Sequence, residues 1–576
     1  MYSKFKVKKG TGTYSDTIEA FGLANLLNEI QNRVELNRPK LWIEDKGLYY
    51  ELTSKPEIQL EQIRKLSYFP LFQYVIRNTL ETFDENYFDY PLQDALKKER
   101  RSLLQKAYQE FTGKDKAEKL KLRLKEIDRI YSEEKLIDPH LDVYSQVTTN
   151  NNFEVFKKLY NNFYSNKSSF PILIKYIFDF YSDNSVVLDT KDLQSFNDKV
   201  TALQIYNPNS GKGQNRPKAS GSGAKGIDSI WISETMKISG ALTNMLCQLV
   251  KVGSSYDLKV VVPDFKKAEY GKQKQIALNF KKNIKGNTPL KVDILNLLII
   301  NIQLIENTEE YKGFKAKNIL TGLHSTYQKD LGQNKAVVNI AELQTPDFIE
   351  FDTEDEAKDW MEFLKEQINI IGSIEELGDA TQGLIAYRTF LTSSHFQSWA
   401  KFIFWYAEHI MSNFSRNKYA LTFKVTSLNK FFKNMNMNEF KISEIISNEG
   451  FQKVATAIRN STVILQGAKS RGERIDFEIR YGVAQELKNK SKTSTDLAGF
   501  VGEFIGTYNA ETARKGEINR AYRKPVRDNE LTSFYTLLDL HPSKSKVIGA
   551  MLASYGFALE KGSEIPPKED PQTIAE

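Results

Sequence analysis

The 576-residue chain has one cysteine, Cys247, and five histidines. A single cysteine excludes disulfides and thiolate zinc sites and suits a reducing cytosol, so a cytoplasmic location is expected. Cys247 lies in an apolar run that reads as helical, and is expected to be buried and inert. His140, His324, His395, His409 and His541 form no HxH, no HExxH and no adjacent His-Asp pair. His140 and Asp142 make an isolated HxD. A GxSxG elbow is missing as well. These absences argue against hydrolase or nuclease chemistry, leaving open only metal sites built from dispersed carboxylates. Neither an enzyme activity nor a cofactor is expected. Long apolar runs are also missing: Val292–Ile305 is interrupted by Asp293, Asn296, Asn301 and Gln303, too short and polar to span a bilayer, so no membrane partner is expected. The opening YSKFKVKK is charged and unlike a signal peptide.

What is present is a globular composition, 40% hydrophobic and 12% aromatic, which at this length predicts two to four domains. One stretch stands apart, QIYNPNSGKGQNRPKASGSGAKGID from Gln204 to Asp228. It holds Gly211, Gly213, Gly221, Gly223 and Gly226, with Lys212, Arg216, Lys218 and Lys225 against Asp228. Glycine lets a backbone approach a ligand closely, and cations beside such a backbone make a phosphate site. Asn207, Asn209, Gln214 and Asn215 add amides able to read a base edge. A flexible linker is the alternative, because Gly and Ser dominate the second half. A P-loop is excluded: Tyr206 stands where its first glycine belongs, and Gly213 follows Lys212 in place of Ser or Thr.

Charge is segregated. Lys251–Lys291 holds ten lysines against Asp257, Asp264 and Glu269. Within it, Lys266, Lys267, Lys281 and Lys282 are candidates for backbone phosphates. Arg514–Arg527 holds Arg514, Lys515, Arg520, Arg523, Lys524 and Arg527 against Glu517, whereas Glu342–Glu376 is acidic. Three basic regions on a chain of net charge +7 suggest polyanion-binding faces.

An α+β class is expected, with a mixed N-terminal domain at 1–373 and an all-α helical domain at 374–561. The Pro-containing tail 562–576 is expected to be disordered. Residues 1–50 read as a strand, a Gly-Thr turn and a helix capped by Asp16 with Glu19 three residues on. A hairpin follows around Asp45-Lys46-Gly47. Residues 93–135 read as two long, partly exposed helices, and 153–182 as aromatic core helices. The stretch from Trp231 to Val252 reads as one helix, Leu258–Pro263 as a strand, Val292–Ile305 as a buried helix or strand, and Val337–Leu343 as a short strand. Beyond Leu421 the pattern is helix after helix.

Several blocks carry a resemblance. YNPNSGKGQNRPK (Tyr206–Lys218), IWISETMK (Ile230–Lys237) and Gly240, together with YSDTIEAFGLA (Tyr14–Ala24), resemble the large subunit of type I CRISPR Cascade complexes of the I-A and I-B kinds. RYGVAQEL (Arg480–Leu487), YNAETAR (Tyr508–Arg514), Leu537–Asp539 and MLASYG (Met551–Gly556) are similar to the small subunit of those complexes, from about 435 onward. The resemblance implies a non-catalytic ribonucleoprotein subunit that recognises a protospacer-adjacent motif in duplex DNA and promotes R-loop formation. Its partners would be target DNA, guide RNA, the Cascade backbone and small subunits, and a recruited helicase-nuclease or transposition proteins. A metal-dependent nuclease and a scaffold are the alternatives. Met435 or Met437 could start a separate small protein.

Overall fold

The computed structural model describes residues 1–78, 86–111, 117–183, 188–210, 228–331, 335–434, 442–517 and 523–560. The fold is α+β, with strands confined largely to the N-terminal part and a helical C-terminal part. The chain divides into two units. The first comprises Met1–Phe111, Ala117–Asn307 and Ala316–Thr345, and the second includes Thr308–Lys315 and everything from Pro346. The boundary thus precedes the expected 373, and helix Glu354–Ser373 joins the helical unit. Its apolar face, Trp360, Phe363 and Leu364, is buried among that unit's aromatics.

The first unit is built on two antiparallel four-stranded sheets. One runs in the order Tyr2–Lys8, Tyr49–Ile58, Lys40–Asp45, Lys267–Glu269. The other runs Lys335–Gln344, Leu320–Asp330, Ser255–Phe265, Leu246–Val252. Helix Tyr14–Arg33 is buried along most of its length. It is capped by Thr13, whose side chain accepts from Ser15 N, rather than by Asp16. The Asp16 carboxylate instead accepts from Thr11 N and Gly12 N at 3.1 and 2.8 Å, fixing the preceding turn.

The expected helix over Trp231–Val252 is a helix, Trp231–Asn244, followed by a strand, Leu246–Val252. LCQLVKV pairs with Ser255–Phe265, which supplies the β-ladder that local sequence does not reveal. Cys247 is therefore on a strand, buried, with its N–H donated to Asp142 at 2.8 Å. Val292–Ile305 lies within helix Pro289–Glu306, and residues 153–182 form two buried aromatic helices, Asn150–Tyr164 and Phe170–Tyr181. Helices Tyr90–Glu110 and Ala117–Arg129 form the expected charged pair.

The second unit packs helices around Trp360, Trp399, Phe348, Phe390 and Phe431, ring on ring. Its C-terminal end is stitched back: Val425 N donates to Leu559 O at 2.9 Å and Leu559 N to Phe423 O at 2.8 Å. Met435, Met437 and the tail 562–576 lie outside the described residues. Among the described residues no helix is long and apolar enough to cross a membrane.

Candidate nucleic-acid interface

The glycine-rich segment is held at its two roots. On the far side, Asp228–Ile230 pairs antiparallel with Lys199–Thr201, and Trp231 N donates to Asp198 O at 3.0 Å. Trp231 is buried against Phe163 and Phe196, whose ring centroids lie 5.6 and 5.2 Å away. On the near side the chain turns tightly, with Asn207 N donating to Leu203 O at 2.9 Å and Ser210 N to Asn207 O at 3.0 Å. Tyr14 OH donates to Ile205 O at 2.7 Å from the buried helix beneath.

Asn207 is the centre of this root. Its amide nitrogen donates to both Glu234 carboxylate oxygens at 3.1 Å and to Leu203 O at 3.0 Å. Its amide oxygen accepts from Ser15 Oγ at 3.1 Å and Lys237 Nζ at 2.8 Å. Lys237 also meets Glu234 at 3.1 Å and Glu19 at 3.8 Å. Glu19 in turn accepts from Tyr181 OH and Ser233 Oγ at 2.8 and 2.6 Å. Burial raises the Glu19 pKa, and the Lys237 charge pulls it back. Buried charges persist only when paired and hydrogen-bonded in this way.

Glu234 and Lys237 share a helix face three residues apart, which is what brings both under the turn. The helix itself lies backbone to backbone on Tyr14–Arg33. A Cβ on Gly240 would sit 1.7 Å from Ile18 O, and one on Gly22 would sit 1.8 Å from Met236 O. Only glycine permits that approach. The fold thus joins two blocks, Tyr14–Ala24 and Tyr206–Gly240, that lie about 190 residues apart in sequence.

This geometry corrects the expectation for Asn207. Its hydrogen-bonding capacity is spent inside the protein, so it positions the root and has no edge to offer a base. Asn209 is exposed beside it. Lys212, Asn215, Arg216, Lys218 and Lys225 lie outside the described residues, as does Arg520.

The lysine stretch separates into two classes. Lys281 is buried, 3.3 Å from Asp142 and donating to Leu242 O at 3.3 Å. That pairing also gives the HxD motif a structural role: Asp142 holds Lys281 and the Cys247 N–H, while burial lowers the His140 pKa. Lys259 is buried on Asp293 and Lys291 is buried too. Lys266, Lys267 and Lys282 are exposed. Lys266 and Lys267 flank the hairpin tip, where Asp45 N donates to Lys266 O at 2.7 Å and Lys46 pairs with Glu44 at 2.8 Å.

In the helical unit, Arg523 is likewise buried, contrary to the expected phosphate role. It donates to Glu511 at 2.7 Å, Thr512 Oγ1 at 2.8 Å and Tyr508 O at 3.0 Å, and its guanidinium lies 3.8 Å from the Tyr508 ring centre. Arg480 joins the same carboxylate at 3.5 Å and donates to Thr507 Oγ1 at 2.8 Å. Arg514 is exposed on helix Ser494–Glu517. A cleft of about 730 Å³ in this unit is lined by Glu375, Asp379 and Glu408 as well as Arg416 and Lys488. With Lys418 its three carboxylates are matched by three cations, so its charge does not mark it as a polyanion seat. Among the described residues no group of three His, Cys, Asp or Glu side chains is placed to hold a metal ion.

Sequence reasoning missed Ser15, Glu234 and Lys237, and gave Glu19 a capping role where it instead joins the buried network. The signal was there as a Glu and a Lys spaced three apart in an otherwise uncharged helix. Compared with known proteins, the chain matches no protein-family model and no curated sequence.

Proposed function

We propose that the chain is the non-catalytic large subunit of an RNA-guided DNA surveillance complex of type I. In this reading it recognises a short motif in duplex DNA and promotes strand separation and R-loop formation. The observation that carries the reading is the mounting of the segment 211–227. A glycine- and cation-rich stretch is rooted on a strand pair at one end and a buried ionic network at the other. A linker needs no such roots, whereas a loop that must present amides and cations to a duplex does. Exposed Lys266, Lys267 and Lys282 in the same unit add cations for backbone phosphates. Guide RNA would read the rest of the target by pairing.

The test uses the complex assembled from its natural operon, with a duplex library randomised beside a matched target. Lys212→Ala, Asn215→Ala and Arg216→Ala, singly and together, should relax motif preference, since a direct base contact is worth ~1–3 kcal/mol. Unchanged preference and affinity in the triple variant would leave the segment as a linker and remove the reading's support.

A further inference from the structure

The helix pair Tyr90–Glu110 and Ala117–Arg129 lies outside all three basic regions of the sequence, yet it too carries a surplus of positive charge, ten cations against six carboxylates. Its two helices are sewn together by a small apolar seam, Ala107, Ile127 and Tyr131 with Leu103, Leu104 and Leu120. Arg100 donates to Asp128 at 2.7 Å and Lys135 to Glu99 at 2.8 Å across the pair. Within the helices, Lys98 meets Asp94, Arg123 meets Glu126, and Arg129 meets Glu133 and Glu134. Those contacts consume the carboxylates Asp94, Glu99, Glu126, Asp128, Glu133 and Glu134. Six cations stand outside those pairs, Lys97, Arg101, Lys106, Lys119, Lys121 and Lys125, with Glu110 and Glu118 the other carboxylates of the two helices. All six cations are exposed and make no ion pair among the described residues.

We infer that this helix pair is a docking element for the phosphate backbone of duplex DNA. The inference rests on the reading of the chain as a DNA-recognition subunit. Lys97 and Arg101, and again Lys121 and Lys125, stand one helical turn apart, roughly 6 Å along the axis. Two such rows on a stiff helix pair suit a rigid polyanion, which carries a phosphate every ~1.7 Å of its axis. A membrane surface would need a contiguous apolar strip beside the cations. Here Leu120 packs in the seam, and among the described residues the two helices expose only Leu92 and Leu122 as large apolar side chains, 30 residues apart in sequence and forming no strip. An acidic protein partner would also meet the cations, but its association would not follow counterion release from a duplex.

The experiment measures binding of the full-length chain to a duplex of random sequence across a salt series. The variant is Lys97→Gln/Arg101→Gln/Lys121→Gln/Lys125→Gln. The control is Lys65→Gln/Lys157→Gln/Lys158→Gln/Lys191→Gln, four exposed lysines of the same unit. Each lost contact should flatten the slope of log K against log salt by about 0.9 and cost about fivefold in affinity near 0.15 M salt. The control should keep the parent slope, and circular dichroism should show both variants folded. Equal loss in variant and control, or an unchanged slope in the variant, would overturn the inference while leaving the motif-reading test above untouched. A loss confined to single-stranded RNA, with its smaller slope of about 0.7 per contact, would also overturn it. If the parent chain binds no duplex, alone or assembled, the inference and the functional reading fail together.

Discussion

Replacing Asn207 separates two accounts of the glycine-rich segment. If Asn207 reads a base, Asn207→Ala leaves the fold intact and loosens motif preference. If it anchors the root, stability falls and preference does not change per folded molecule. Truncation removes two bonds to the Glu234 carboxylate and one from Lys237. Hydrogen bonds to charged groups are worth ~1.5–3 kcal/mol each. Glu234 and Lys237 keep one another at 3.1 Å, and Glu234 keeps the Leu203 N–H at 3.3 Å, so the loss is not the full sum. A net cost of ~3 kcal/mol follows, large against the ~5–15 kcal/mol of a typical fold. Asn207→Asp should cost more, because it sets a third carboxylate beside Glu19 and Glu234 with Lys237 as the cation among them. The assay is urea denaturation followed by tryptophan fluorescence, since Trp231 sits at the other root of the same segment. Motif preference is measured in parallel on the folded fraction. A midpoint shift below ~0.5 kcal/mol, as for an ordinary surface change, combined with relaxed preference would refute the anchoring account.

Neighbouring lysines should behave oppositely. Lys282→Gln should flatten the salt dependence of duplex binding by about 0.9 with little change in stability, whereas Lys281→Gln should destabilise the unit, because Asp142 loses its cation. A stability effect from Lys282→Gln and none from Lys281→Gln would contradict the burial assignment. In the helical unit, burial raises the Glu366 pKa to about 7. The folded value exceeds the usual 4.5, so the stability this carboxyl contributes is fully present below pH 4.5 and is lost as pH climbs to about 7. The span is worth ~3 kcal/mol. Glu366→Gln should abolish that slope in melts between pH 5 and 8, and persistence of the slope would place its origin elsewhere. A fragment starting at Met435 would lose Trp399, Phe432 and Asn429, which cover Ser554 and Tyr555. Expressed alone it should aggregate, and supplying 346–434 in trans should restore solubility. A monodisperse fragment would disprove this.

The elements with their own local signals were legible in the sequence. The helix after Thr13, the hairpin at Asp45-Lys46-Gly47 and the charged helix pair each show period, cap or turn chemistry within a short window. Where the decisive partner is remote, sequence gave the wrong role. Asn207, Lys281 and Arg523 look like exposed polar residues in basic stretches. They are buried because Glu234, Asp142 and Glu511 reach them from other elements. The strand Leu246–Val252 was hidden for a related reason. No Gly or Pro marks the junction at Met245, and the ladder that makes the segment a strand is supplied by Ser255–Phe265. The boundary at Thr345 was obscured because helix Glu354–Ser373 follows a strand-rich stretch without a linker of distinctive composition.

The contact of Gly22 and Gly240 has a mechanical consequence. Packed helices ordinarily slide past one another by small changes in the side chains between them. Between Tyr14–Arg33 and Trp231–Asn244 there is, at these two positions, nothing to rotate: each backbone is the other's wall. The mount is therefore a clamp without play. Any displacement delivered to the described root residues Asn207 and Trp231 would therefore be passed to the two helices together, as a single stiff lever.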